Sequence, residues 1–268
     1  MRITLLCNRD IHANAAVNLL LPALRAHDVT IFVSDGPSKA AALPAVFSDL
    51  VSAERIIPNR VLWPLADGAP DPGTTWASFE RCAARLSGTC TSLNAPNTAE
   101  GLQTLRAAQP DLIITIRYAR ILRDEAISIP RFGVINLHSG PLPAFRGVLA
   151  TFRGMITGAS TIGCTLHRIV DAGIDTGPII RVATLPTPTT SSLFDAVQSV
   201  YPPGAEMIAD AIDDLQRGSS LPGVPPSSAG TYYSWPNADD FATFLRMGYR
   251  LVDVASYAQL LARYAVTA

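Results

Sequence analysis

Residues 134–147 read VINLHSGPLPAFRG. Apolar residues lead up to Asn136 and His138, and a Gly- and Pro-rich run follows at once. The first five residues have the composition of a buried strand. The Gly-Pro-Leu-Pro that follows keeps the chain out of a helix and holds a loop beside the strand end. Successive strand residues point to opposite faces, so Asn136 and His138 share one face. In an open parallel α/β sheet, ligands bind beyond the carboxyl ends of the strands. Two hydrogen-bonding side chains at such an end either bind the next loop or face a ligand.

The neighbouring pattern makes this strand one of a series. Residues 2–7 (RITLLC) read as a buried first strand, and 13–27 have helical periodicity with Pro22 as a possible kink. Residues 29–34 (VTIFVS) read as a second strand closed by the turn signal DGP at 35–37. Thr98 heads a helical run to Ala108, and 111–116 (DLIITI) is a further buried strand. Strands follow at 133–138, 161–170 and 178–184, with a helix at 147–157 and a long helix over 191–217. Strands alternating with helices point to an α/β fold, a Rossmann-like, mostly parallel sheet flanked by helices. Residues 38–100 are long for one connection and read as an insertion carrying short helices. The expected organisation is a catalytic domain over 1–218, including that insertion, and a C-terminal extension over 219–268 packed on the same domain. A helix near 238–248 lies in the extension.

Totals narrow the function classes. The chain has 268 residues, enough for a sizeable core. Hydrophobic residues are 48% and charged ones 16%, which excludes a disordered chain. The 21 basic and 22 acidic side chains nearly cancel, and no like-charged block offers a footprint for nucleic acid. The apolar run near the N-terminus is too short for a signal peptide, and no run reaches membrane-spanning length. The chain is therefore read as cytoplasmic, with no membrane and no nucleic acid among its partners, and as a monomer or homodimer. Cys7, Cys82, Cys90 and Cys164 form no C-x-x-C pair and read as reduced, mostly buried thiols. His12, His27, His138 and His167 show no metal-ligand spacing, so no metal is expected.

A second segment, TLHRIVDAGIDTGPII at 165–180, sets Asp171, Asp175 and Thr176 in a Gly-punctuated loop between two strands. Such a loop can bring a carboxylate to the mouth of the sheet. Together, the stretches at 134–147 and 165–180 strongly resemble the formyltransferases that use N10-formyltetrahydrofolate. That family includes glycinamide ribonucleotide transformylase, the catalytic domain of methionyl-tRNA formyltransferase, and formylases of amino sugars and hydroxyornithine. The resemblance covers about residues 100–185 well, and the first strand and helix in outline. It implies a catalytic set of Asn136, His138 and Asp175, and N10-formyltetrahydrofolate as the formyl donor. It also implies that Arg117, Tyr118, Ala119, Arg120, Ile121 and Leu122 (RYARIL) form a folate-pocket segment whose backbone faces the pterin. His167, Val170 and Asp171 would lie near the same ligand, with a structural His the other reading of His167 and a turn-capping Asp that of Asp171.

The sequence also departs from the family pattern. One extra residue separates His167 from Asp175, which alters the pterin loop. The first strand runs into CNRDIHANAA, without the glycines that hold a phosphate in the purine enzyme. Nothing after residue 218 resembles a tRNA-binding barrel. The acceptor expected is a small-molecule amine or hydroxylamine. The side-chain hydroxylamine of N5-hydroxyornithine, in siderophore biosynthesis, is preferred over a nucleotide-linked amino sugar. Hydrolysis of the formyl-folate is a third reading, and a non-catalytic nucleotide-binding module a fourth, against which the missing G-x-G-x-x-G speaks. Asp10, His12 and Asn14 crown the first strand and read as acceptor-binding residues or as helix caps. Ser139 and Arg146 follow the Asn-x-His pair and read as acceptor or folate contacts, with a solvated side chain the other reading of Arg146. Tyr232, Tyr233 and Trp235 read as a core or dimer contact, or as the lining of a sugar or partner surface.

Overall fold

In the computed structural model, residues 1–35, 45–189 and 191–264 are described. The turn expected at 35–37, apart from Asp35, and the start of the helical stretch after it lie outside the described residues. The chain begins with strand β1 (Arg2–Asn8), helix α1 (Ile11–Leu24) and β2 (Asp28–Ser34). Short helical pieces follow, with α2 at Ser48–Val51, two π-helical turns at Ser52–Ile56 and Pro58–Leu62, and α3 at Trp63–Gly68. Then come α4 (Phe79–Arg85), β3 (Thr89–Ser92), α5 (Ala99–Ala107), β4 (Leu112–Ile116), α6 (Asp124–Ile127) and β5 (Val134–His138). The remainder is β6 (Arg146–Gly147), α7 (Ala150–Ile156), β7 (Thr161–Ile169), β8 (Ile179–Pro186), α8 (Leu193–Ser199), α9 (Tyr201–Gln216), β9 (Tyr232–Tyr233), α10 (Ala238–Arg246) and α11 (Val254–Ala262).

Seven strands form one sheet in the order β3-β2-β1-β4-β5-β7-β8. The first five are parallel, and β7 and β8 are antiparallel to their neighbours. The expected Rossmann-like architecture is therefore present. The strand order reverses between β1 and β4, and a ligand crevice is expected at that switch. β3 corrects the reading of 38–100 as an insertion on the core. Thr89–Ser92 pairs with β2, so the end of that stretch belongs to the sheet itself. Its short sequence, TCTS, is mostly exposed at the sheet edge and lacks the apolar run that marks a buried strand.

The long helix expected over 191–217 is two helices. Pro202 and Pro203 lack an N–H and clash with a preceding turn, so α8 ends and α9 restarts with proline in its first turn. The buried stripe of α9 includes Gly204, Met207, Ile208, Ala211 and Ile212. A Cβ at Gly204 would come within 2.8 Å of Leu137, so only glycine lets α9 lie this close to β5. Leu137 faces α9, which turns Asn136 and His138 to the other side of the strand.

The C-terminal segment packs on the same core. Phe241 and Phe244 lie against Phe152, the Tyr257 hydroxyl donates to the Ala53 carbonyl, and Tyr264 is buried beside α1. Helix α11 was not anticipated from the sequence. Cys7, Cys82 and Cys164 are buried, Cys90 is partly so, and all four are free thiols. No helix among the described residues is long and apolar enough to cross a membrane.

Candidate active site

Strand register builds the site. Thr115 on β4 pairs with Asn136 on β5, and Asn136 pairs with His167 on β7. Residues paired in register project from the same face, so the three side chains form a row across three strands. The Thr115 hydroxyl donates to Asn136 Oδ1 at 2.6 Å. His167 Nδ1–H donates to the Arg168 carbonyl at 2.9 Å, which leaves Nε2 to accept from Asn136 Nδ2 at 2.9 Å. This network assigns both the amide orientation and the tautomer. His167 takes one of the two N–H groups of Asn136, and the other remains for a ligand oxygen.

His138 lies two residues beyond Asn136 on the same face. Its Nε2–H donates to the Phe145 carbonyl at 2.7 Å. Its Nδ1 stands 3.4 Å from Asp175 Oδ2. Burial lowers the His138 pKa below the usual 6.5, against the opposing pull of Asp175 and the Phe145 carbonyl. Neutral His138 thus carries its proton on Nε2 and keeps Nδ1 open as a base. The loop after it is pinned, since Thr165 Oγ1 donates to the Gly140 carbonyl and accepts from the Leu142 amide. Gly140 is required there, because a Cβ would come within 2.5 Å of the Ala150 side chain and 3.0 Å of His138 Nε2.

Asp175 comes from the loop between β7 and β8 with φ of 54°, a left-handed conformation that Asp tolerates better than most residues. Oδ2 accepts from the Gly147 amide at 2.8 Å, and Oδ1 lies 3.5 Å from His167 Nε2. Burial tends to raise the carboxyl pKa, but His138, His167 and the Gly147 amide together hold it at about 2. Asp175 is therefore ionised beside both imidazoles.

Gly147 is the point where the C-terminal segment meets the site. Its φ is +93°, and β9 runs directly against it. A Cβ there would lie 2.3 Å from the Tyr233 carbonyl oxygen and 2.8 Å from the Tyr232 ring. We expect Gly147→Ala to lose more than about 1 kcal/mol of stability, read by urea denaturation, because it strains the backbone and displaces β9 together.

A cavity of about 430 Å³ opens over this row. Asn136, His138, Asp175, Ser139, His167, Asp171 and the whole stretch Arg117–Leu122 line it. The Tyr118 hydroxyl donates to the Leu93 carbonyl and Arg120 Nε to the Asn94 carbonyl, so these side chains anchor the segment to the neighbouring loop. Asp171 accepts from the Gly173 amide and so also caps its own turn.

Five expected residues are not brought to the cavity. Val170 is 53% exposed and lies outside its lining. Arg146 spends its guanidinium on the carbonyls of Ile174 and Ala229, tying the Asp175 loop to the C-terminal segment. Asp10, His12 and Asn14 are fully buried. Asp10 caps α1 through the Ala13 amide, His12 meets Gln198, and Asn14 accepts from the Tyr264 hydroxyl at 2.6 Å. Their acceptor-binding reading is corrected to a structural one. The first two turns of α1, residues 11–18, are buried throughout, so their polar residues are spent inside the protein.

Other lining residues were missed. Thr115 is a single hydroxyl in the otherwise aliphatic strand LIITI, which is the signal that could have found it. Asn8 closes β1 in the same way. Tyr232 and Trp235 also line the cavity, so these two are not core residues. Glu54 reaches the cavity-lining Arg117 from the short helices after β2, at 3.0 Å.

An amide donor, an imidazole and an ionised carboxylate thus meet in one cavity at the carboxyl edge of a mostly parallel α/β sheet. The formyl transferase family model matches residues 69–212, and the chain belongs to that family. Methionyl-tRNA formyltransferase of Ralstonia nicotianae is 35% identical over 139 residues, which are 51% of this chain and 41% of that protein. The chain thus spans about two fifths of the length of such relatives. Two solved structures share the fold. Glycinamide ribonucleotide transformylase 1 of Symbiobacterium toebii is 19% identical over 81% of this chain and 88% of its own, with a TM-score of 0.58. An N-formyltransferase of Helicobacter canadensis, in complex with folinic acid and dTDP-3-aminofucose, is 15% identical over 92% of this chain and 81% of its own, also with a TM-score of 0.58.

Proposed function

We propose that this chain transfers the formyl group of N10-formyltetrahydrofolate to a nitrogen of a small molecule. The observation that carries the reading is the row Thr115–Asn136–His167, with His138 and Asp175 beside it, on the wall of one cavity. The walls suit a flat folate head. Ile121, Ile174, Val148 and Leu149 supply apolar surface next to the polar row. The folate, when bound, supplies an activated formyl carbon on a nitrogen leaving group.

Asn136 directs its spare N–H at the formyl oxygen, where negative charge develops as the acceptor nitrogen attacks. Thr115 and His167 hold the amide in that orientation. His138 takes a proton at Nδ1, and Asp175 stabilises the imidazolium that results. One C–N bond forms to the acceptor and the bond to N10 breaks. The proton lost by the acceptor nitrogen returns to N10 by way of His138.

A pH dependence follows with a definite sign. Because burial lowers the His138 pKa, kcat/KM falls as pH drops through a midpoint below 6.5 and is level above it. Asp175, at about 2, adds no limb in the range where the protein is assayed. A midpoint above 7 in the rate profile would contradict neutral His138 as the base.

The acceptor we favour is the side-chain hydroxylamine of N5-hydroxyornithine, in siderophore biosynthesis. N-formylation of a nucleotide-linked amino sugar is the second reading, favoured by the aromatic rings of Tyr232 and Trp235 on the cavity wall. Release of tetrahydrofolate from N10-formyltetrahydrofolate, followed by ultraviolet absorbance with each acceptor present or absent, tests both. Acceptor-dependent release supports transfer and identifies the class, whereas release that ignores every acceptor means hydrolysis.

A further inference from the structure

Strand β6 is two residues long, and both of them hold the Asp175 loop. The Gly147 amide donates to Asp175 Oδ2 at 2.8 Å. The Arg146 side chain takes the carbonyl of the residue before Asp175, with Nε and Nη2 donating to the Ile174 oxygen at 3.1 and 2.9 Å. Its Nη1 donates to the Ala229 carbonyl at 2.6 Å, which fixes the guanidinium from the C-terminal segment. The backbone of Arg146 is set by the same segment, since its amide donates to the Thr231 carbonyl at 3.0 Å. One planar fork therefore joins β6, the Asp175 loop and the C-terminal segment.

The sequence neighbours of Arg146 touch the same pair of side chains. The Phe145 carbonyl holds His138 Nε2, and the Gly147 amide holds the carboxylate that stands 3.4 Å from His138 Nδ1. Asp175 sits at φ of 54°, and a residue with a side chain persists in that region only where its surroundings fix it. The fork grips the peptide unit that leads into this residue. We propose that Arg146 is a positioning residue for formyl transfer, whose fork on the Ile174 carbonyl sets the distance between Asp175 and His138. Its role in transfer rests on the formyl-transfer reading, whereas the geometry it sets is measurable without turnover. Lysine does not replace it, because an ammonium is a point charge without a planar fork.

Imidazole NMR of the full chain labelled with ¹⁵N-histidine, without substrate, reads this distance through the titration of His138, identified by its loss in His138→Gln. His138 faces Asp175 from the β7–β8 loop, His167 from β7 and the Phe145 carbonyl; Asp175 and the carbonyl raise its pKa, and His167 lowers it. Asp175→Asn should therefore lower the His138 midpoint. Arg146→Met should lower it too, because the carboxylate moves away. Loss of the Arg146 charge alone favours protonation of His138 and would raise the midpoint, so a fall reports position and not charge. The double variant should match Asp175→Asn, since a residue acting through Asp175 adds nothing once that charge is gone. Arg146→Lys keeps the charge without the fork and should fall between wild type and Arg146→Met; it serves if the methionine variant does not fold. An unchanged or raised midpoint, or shifts that add in the double variant, would overturn the proposal. In tetrahydrofolate release with N5-hydroxyornithine, kcat of Arg146→Met should fall about tenfold to a hundredfold with the donor KM little changed, and a wild-type kcat would also overturn it. Coupling at His138 with no release by the wild type would count against the formyl-transfer reading instead.

Discussion

Replacing Asn136 or His138 by alanine lowers kcat by about 10²–10⁴ while the fold persists. An oriented donor to a developing oxyanion is worth ~10²–10³, and a positioned acid–base group ~10²–10⁴. The fold survives because the core packing of β5 comes from its other face, where Leu137 sits against Gly204 of α9. KM for the donor should change less than kcat, since both residues act on charge that appears only in the transition state. Steady-state kinetics of the two variants, alongside their circular dichroism, checks the pair of statements. Near wild-type turnover in either variant would remove that residue from the mechanism.

Arg117→Met produces the largest loss of stability. The substitution keeps the aliphatic stem and removes the charge that Asp10 and Glu54 share. Asp10 is fully buried and the Glu54 side chain is 11% exposed, so both carboxylates lose their counter-ion inside the protein. Breaking a buried pair by deleting one partner costs about 3–5 kcal/mol, which corresponds to a fall in Tm of roughly 10 °C in a chain of this size. The same cluster lowers the Glu54 pKa despite the burial that would raise it, through Arg117 and then His12. The expected stability gap between wild type and variant therefore narrows in acid, as Glu54 becomes protonated. Thermal melts at neutral and acidic pH measure both effects, and an unchanged Tm at neutral pH would show the cluster to be energetically idle.

What the sequence discloses follows the reach of local pattern. Aliphatic runs such as LLC and LIITI mark the central strands, and register then puts Thr115, Asn136 and His167 in one row without further instruction. Asn136 and His138 stand out by their alternation at a strand end and Asp175 by its Gly-punctuated loop, but only the family resemblance joins the three into a set, and the structure places all three on one cavity wall. The rest depended on contacts far apart in the chain. Asp10, His12 and Asn14 crown a strand where a ligand contact is expected, but α9 and Tyr264 cover their helix, and neither covering is visible from residues 8–18. The prolines at 202 and 203 did carry a local signal for the break between α8 and α9. β3 escaped notice because an exposed edge strand needs no apolar run. Tyr232 and Trp235 reach the cavity only because β9 pairs with β6 across 86 positions of sequence, from Arg146 to Tyr232.

The central claim is that Asn136, His138 and Asp175 move a formyl group between two nitrogens. Mass spectrometry of the acceptor after incubation with N10-formyltetrahydrofolate carrying a ¹³C-formyl group tests it most directly. The account predicts the labelled carbon on the acceptor nitrogen, in an amount equal to the tetrahydrofolate released, and none from His138→Ala. Label recovered as free formate, or transferred equally well by that variant, would contradict it.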